Sequence, residues 1–228
     1  MSNYLIDAGR VYYLDGYYFD KPALIPDADY SSLEVLGKWF ARDHLHVYFL
    51  YRAVDGADPS MFTYLGGYND HWAKDHAQAY YFWPTKAARQ YRGLASDSVD
   101  RFAILPNCRF TEYAGDAEYI YYRGKRVRGA DAPSFQVMTQ VDWGDGADLR
   151  SFHFARDAER IYFDGQSIKE ADYHSFAVIH EPGLGHQEYG VDARNAYYQS
   201  QKTGKIAMIS HGDLPAPVRE RFLAGKRS

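Results

Sequence analysis

Phe154-Ala155-Arg156-Asp157, followed after three residues by Ile161-Tyr162-Phe163, decides how this chain is read, because the pattern returns along it. Phe40-Ala41-Arg42-Asp43 leads to Val47-Tyr48-Phe49, Trp72-Ala73-Lys74-Asp75 to Ala79-Tyr80-Tyr81, and Tyr113-Ala114-Gly115-Asp116 to Ile120-Tyr121-Tyr122. Looser copies pair Ile6-Asp7 with Val11-Tyr12-Tyr13 and Val191-Asp192 with Ala196-Tyr197-Tyr198. The anchoring aspartates, 7, 43, 75, 116, 157 and 192, are spaced by 36, 32, 41, 41 and 35 residues. Self-similarity at such a period marks a repeat architecture.

Each part of the unit has a local physical reading. The residues before the anchor Asp form a short strand. The Asp makes a tight turn, because its carboxylate accepts backbone N–H groups two residues on. The Val-Tyr-Phe type segment is the return strand, β-branched and aromatic. Arg123-Gly124-Lys125 and Asp164-Gly165-Gln166 then allow a second hairpin. A second module follows in Ala28-Asp29 to Leu33, Ala57-Asp58 to Phe62, Ala130-Asp131 to Phe135 and Ala171-Asp172 to Phe176, with a stretched version from Asp97 to Phe102. In Ala57-Asp58-Pro59 the Asp is placed to cap one helical turn that begins on Pro.

Alternation along the return strand sorts its side chains. The residue four after the Asp is always apolar, and the residue six after is Tyr or Phe, so that face needs only bulk and is assigned to the core. The residue five after is Tyr12, Tyr48, Tyr80, Tyr121, Tyr162 and Tyr197, never Phe. Its hydroxyl is therefore expected to meet a partner in each unit, a carbonyl or the repeated Asp. The structural positions are accordingly Asp43, Asp75, Asp116 and Asp157 with Tyr48, Tyr80, Tyr121 and Tyr162.

The expected fold is all-β: about six antiparallel β-meander units in an open curved or elongated stack, with a small β-propeller as the alternative. Residues 1–205 form the repeat domain. Residues 206–228 form a capping segment whose Leu214–Ala224 stretch reads as a short amphipathic helix over the last repeat.

Composition narrows the function. The 228 residues carry a net charge of −4, which argues against a general nucleic-acid coat. The single cysteine, Cys108, excludes an intrachain disulfide framework and reads as a small buried residue. No stretch is apolar for long enough to span a bilayer and no basic leader is visible, so a soluble cytoplasmic chain without membrane association is expected. There is no phosphate loop, nucleophile elbow or His-Glu-x-x-His helix. Aspartates that recur in every unit suit turns, since a catalytic pair is needed once. His44 with His46, and His180 with His186 and Glu188, could hold zinc but lack strong ligand spacing. The acidic loop with Asp142, Asp145 and Asp148 could hold calcium but departs from known spacing. No cofactor or metal is therefore expected. Partner contacts are assigned instead to the interruptions of the repeat: Trp83, Arg89 and Tyr91 in the first, Trp143 with Asp142 and Asp145 in the second, His186 and Glu188 in the third.

These motifs resemble the DKNYY family of bacterial repeat proteins, named for an Asp-Lys-Asn…Tyr-Tyr pattern, over about residues 6–198. The Asp and the aromatic pair match at every copy. The Lys and Asn of the name do not: His44-Leu45, His76-Ala77, Ala117-Glu118 and Ala158-Glu159 stand there. The resemblance implies a non-enzymatic binding role, foremost an immunity protein that neutralises a cognate bacterial toxin. The alternatives are a carboxylate-dependent hydrolase or carbohydrate-acting enzyme, and a self-assembling structural repeat protein.

Overall fold

A computed structural model describes residues 3–14, 21–66, 71–83, 91–94, 98–105, 112–139, 150–180, 188–200, 202–203 and 205–225. They form six antiparallel sheets of three or four strands, none of which closes into a barrel. Within each sheet the strands run in chain order, so every unit is a meander. The chain divides into two compact units, Met1–Ile104 and Leu105–Ser228.

In the first unit, sheet one comprises Tyr4–Asp7, Arg10–Tyr13 and Ala23–Leu24. Sheet two comprises Glu34–Val35, Phe40–Arg42, Val47–Phe49 and Arg52–Ala53. Sheet three comprises Thr63–Gly66, Trp72–Lys74, Ala79–Phe82 and Tyr91–Leu94. In the second unit, sheet four is built on Tyr113–Gly115, Ile120–Tyr122 and Lys125–Arg126. Gln136–Thr139, Arg150–Arg156, Ile161–Phe163 and Gln166–Ser167 make sheet five. Ala177–His180, Glu188–Val191, Ala196–Gln199 and Ile206–Ile209 make sheet six.

The turns follow the local chemistry. Arg123-Gly124 and Asp164-Gly165 both have positive φ at their two central residues, the mirror-image turn whose twist suits a hairpin. The helical turn expected at Asp58-Pro59 is only a single turn over residues 59–61, with Met61 N–H donating to Asp58 O at 3.2 Å and Ser60 N–H to Asp58 Oδ1 at 2.8 Å; the equivalent segment Ala132–Ser134 is a 3-10 helix. The first unit departs from the rest: Asp7 is exposed, and Ala8 and Gly9, both at positive φ, make its hairpin.

Alternation turns the offset-five tyrosines to the opposite face from offsets four and six, and both faces are buried: Val47, Tyr48 and Phe49 all lie inside, as do Ile161, Tyr162 and Phe163. Within each compact unit neighbouring sheets pack on one another, so both faces of these return strands lie in protein. The Ala of the aromatic-Ala-basic-Asp pattern is the reason this is sterically possible. Ala41, Ala73, Ala114, Ala155 and Gly190 stand across the strand pair from Tyr48, Tyr80, Tyr121, Tyr162 and Tyr197. The small residue leaves a hollow, and the second-module Phe, which stands immediately before the first strand of the same sheet, fills it. Phe62 packs on Tyr80, Phe135 on Tyr162 and Phe176 on Tyr197, with ring centroids 5.8, 5.3 and 5.7 Å apart.

The expected boundary at residue 205 falls inside sheet six, because Ile206–Ile209 pairs with Ala196–Gln199. The capping helix is Ala216–Gly225. Its Val218 and Phe222, with Leu214, are buried against Ile179, Tyr189, Val191 and Ala196. No helix among the described residues is long and apolar enough to cross a membrane.

Candidate functional site

The repeated aspartate and tyrosine meet in a buried node. Asp43, Asp75, Asp157 and Asp192 each divide their carboxylate between two tasks. One oxygen, Oδ1, accepts the N–H groups two and three residues on: Leu45 and His46, Ala77 and Gln78, Glu159 and Arg160, Arg194 and Asn195, all within 2.7–2.9 Å. The other oxygen, Oδ2, accepts the tyrosine hydroxyl at 2.6 Å from Tyr48, Tyr80 and Tyr162 and at 2.9 Å from Tyr197. This matches the sequence reading of both residue types. Asp116 closes the same turn through the amides of Glu118 and Tyr119, at 2.8 and 2.6 Å.

Two contacts of the node were not read from the sequence. The same Oδ2 also accepts the backbone N–H of the second-module Asp: Asp29 to Asp43 at 2.9 Å, Asp58 to Asp75 at 3.3 Å, Asp131 to Asp157 at 3.1 Å, and Asp172 to Asp192 at 2.9 Å. The two recurring motifs are therefore halves of one joint between consecutive sheets. The residue three after the anchor also turns a donor onto the tyrosine oxygen: Gln78 on Tyr80 at 2.9 Å and Asn195 on Tyr197 at 3.5 Å. His46 Nδ1 stands 3.5 Å from the Tyr48 hydroxyl in the same position. A column of His46, Gln78, Arg160 and Asn195 was the available signal: different side chains, each able to reach the tyrosine hydroxyl two residues on.

The electrostatics follow. Burial acts to raise the carboxyl pKa of Asp43, Asp75, Asp157 and Asp192, but the tyrosine and amide hydrogen bonds outweigh it and hold each below the usual carboxylate range. Burial and then the hydrogen bond to the anchor push Tyr162 and Tyr197 up to about 12. The node is thus a fixed carboxylate held by protonated donors.

A second column joins the residue four before each anchor to the residue seven after it. The backbone N–H of Leu50 donates to Trp39 O, Phe82 to His71 O, Arg123 to Glu112 O and Asp164 to His153 O, at 2.8–3.2 Å. In the first compact unit the column is aromatic, with Trp39 stacked on His71 at 5.4 Å. In the second it is polar. Arg123 Nε donates to Glu112 at 3.1 Å, and Asp164 Oδ1 stands 2.8 Å from His153 Nδ1 and accepts the Tyr122 hydroxyl at 2.7 Å.

The residues expected to contact a partner fare unevenly. Trp83 is 41% exposed, and its ring rests on His71 with centroids 5.0 Å apart. Tyr91 opens the fourth strand of sheet three, opposite Phe82, rather than lying in a loop. Glu188 is corrected more fully: it begins a strand, is only 3% exposed, and accepts a hydrogen bond from Ser151 at 2.7 Å, which makes it part of the scaffold. Arg89, Asp142, Trp143, Asp145 and His186 lie outside the described residues, as does Cys108. His44, weighed above as a metal ligand, instead faces Asp29 at 3.1 Å and Ser32 at 3.0 Å. Among the described residues no group of three or more His, Cys, Asp or Glu side chains is arranged to hold a metal ion.

The antiparallel meanders and the node that recurs at Asp43, Asp75, Asp157 and Asp192 define an all-β repeat protein. The chain belongs to the DKNYY family, whose model matches residues 4–157 and 154–211, a span that takes in all six sheets. No curated protein and no solved structure matches the chain.

Proposed function

We propose that the chain is a non-enzymatic protein-binding module, an immunity protein that neutralises a cognate bacterial toxin by occupying its surface. One observation carries this reading: four of the six recurring anchor carboxylates are consumed by the scaffold. Asp43, Asp75, Asp157 and Asp192 each accept four hydrogen bonds, one of which crosses to a neighbouring repeat. A carboxylate so engaged has no free lone pair to serve as a general base. What distinguishes one repeat from another is left to its interruptions, and an accessible Trp such as Trp83 suits an interface anchor.

The test is purification of the tagged chain together with the product of its neighbouring gene, with growth measured when that product is expressed alone or with the chain. A one-to-one complex and restored growth are expected. Replacing Trp83, Arg89, Tyr91 and Trp143 by Ala together should weaken the complex by a few kcal/mol without unfolding the chain. No complex and no protection would discard the reading. Unchanged affinity in the fourfold variant would discard the assignment to these residues.

A further inference from the structure

We propose that the outer edge of the strand Ile206–Ile209 is where the protein partner docks, laying an extended apolar segment of its own along it as a fifth, antiparallel strand of sheet six. This deepens the binding role proposed above and rests on it. In sheets two, four and five the fourth strand is only Arg52–Ala53, Lys125–Arg126 or Gln166–Ser167, and each is exposed. A brief, polar or charged edge resists pairing with another chain. The fourth strand of sheet three, Tyr91–Leu94, is longer but carries Arg92 and Gly93. In sheet six the hairpin runs on to Gln199 opposite Ile206. Its fourth strand reads Ile206-Ala207-Met208-Ile209, without a charge or a Pro, and Met208 is 55% exposed.

The backbone says what pairs there. The Ser200 N–H donates to Lys205 O at 2.9 Å, which fixes the alternation of the ladder. Lys205, Ala207 and Ile209 turn their N–H and C=O groups toward Ala196–Gln199, so Ile206 and Met208 turn theirs outward. Sheet six ends at that edge, and the helix Ala216–Gly225 packs against the strand at the opposite edge, Ala177–His180. An outward row of alternating donors and acceptors is matched by another extended backbone, the geometry of strand addition. The side chains suit an apolar segment. Ile206 leans on the cluster around Tyr197 and Ile209 on the cluster beneath the helix, so an incoming strand meets apolar groups on both of its faces. Charge sets one end. Lys202 and Lys205, both exposed, stand just before the strand. An antiparallel segment brings its C-terminal end to them, so an acidic residue there completes the match.

Amide hydrogen exchange, measured on the free chain and on its complex with the neighbouring gene product, tests this. In the free chain the Ile206 and Met208 amides should exchange about tenfold or more faster than those of Ala207 and Ile209, and in the complex they should slow to match them. Met208→Pro removes only an outward N–H and keeps the ladder to Ala196–Gln199, so the chain should fold and the complex should weaken by about tenfold or more. Met208→Val, which keeps the N–H, should weaken it less. Should Met208→Pro fail to fold by circular dichroism, Met208→Lys carries the test with the same expected loss. A complex that tolerates these changes, or in which the two amides stay fast, overturns the edge as the docking site and leaves the binding role standing. Slowing of the two amides in the free chain as its concentration rises assigns the edge to a second copy and also overturns the proposal. No complex and no rescue of growth discards the binding role, and this inference with it.

Discussion

The hydroxyl of Tyr122 donates to Asp164 Oδ1 at 2.7 Å, linking sheet four to the hairpin of the next repeat, 42 residues further along the chain. Tyr122 occupies the offset-six position that Phe49 and Phe163 fill elsewhere, so the sequence pattern assigned its ring to bulk alone. Here the oxygen is used. Burial first, and then the Asp164 charge, hold its pKa well above the ordinary tyrosine value, so it remains a donor. Tyr113 adds a parallel link, its hydroxyl accepting from the Gly165 N–H at 2.8 Å.

Tyr122→Phe should therefore destabilise the chain by about 1–2 kcal/mol, the cost of stranding a partly buried acceptor. Phe163→Tyr, at the same offset, should bring no matching gain. Urea midpoints of the two variants check this, and a neutral Tyr122→Phe would show that His153, 2.8 Å from the same oxygen, satisfies Asp164 without it.

Asp157→Ala removes the acceptor of four hydrogen bonds at one buried point, from Glu159, Arg160, Tyr162 and Asp131. A loss of about 3 kcal/mol or more is expected, since several buried donors are stranded together. Asp116→Ala should cost less, about 1 kcal/mol, through the turn bonds to Glu118 and Tyr119. Asp157→Asn should fall between Asp157→Ala and wild type, because its amide oxygen keeps the turn while its NH₂ opposes the Asp131 N–H. Equilibrium unfolding of the three variants orders them.

Stability should be flat at intermediate pH and fall at both ends. The four node aspartates have folded pKa values below the unfolded 3.8. Their contribution is present above that value and is lost as pH drops through the lower folded values. Tyr162 and Tyr197 behave in the opposite sense: raised from 10.0 to about 12, they contribute fully below pH 10 and lose that contribution as pH climbs toward 12. Denaturant titrations across pH measure both limbs. In Asp157→Asn the acid limb should be shallower, because one titrating site is gone.

Two glycines should respond to alanine for different reasons. Gly190→Ala would bring its Cβ to 2.3 Å from Phe176 and 2.9 Å from Phe154, so about 2 kcal/mol or more is lost to overpacking. Phe176→Leu in the same chain should recover part of it. Gly56 meets nothing within 4 Å, but its φ of +74° strains any side chain, so Gly56→Ala should cost about 1 kcal/mol with no rescue by trimming neighbours. Thermal melts of the two single variants and the double variant separate crowding from strain.

The amino-acid order alone determined the repeat, the turn at each anchor and the tyrosine that serves it. Asp157, its amide donors at 159 and 160 and the hydroxyl of Tyr162 lie within six residues, and interactions that close over so short a span leave a fixed spacing in the chain. What depends on separated segments left no such spacing. The Asp131 amide reaches Asp157 across 26 residues, Tyr122 reaches Asp164 across 42, and Ser151 reaches Glu188 across 37. Alternation along a strand says which side chains share a face, but only stacking decides whether that face meets protein or water. This is why Tyr48 is buried although it points away from Val47 and Phe49, and why Leu5, in the place of Ala41, stands exposed. Tertiary packing also drew Glu188 inside, because its strand pairs on both sides and Ser151 supplies a donor to its carboxylate.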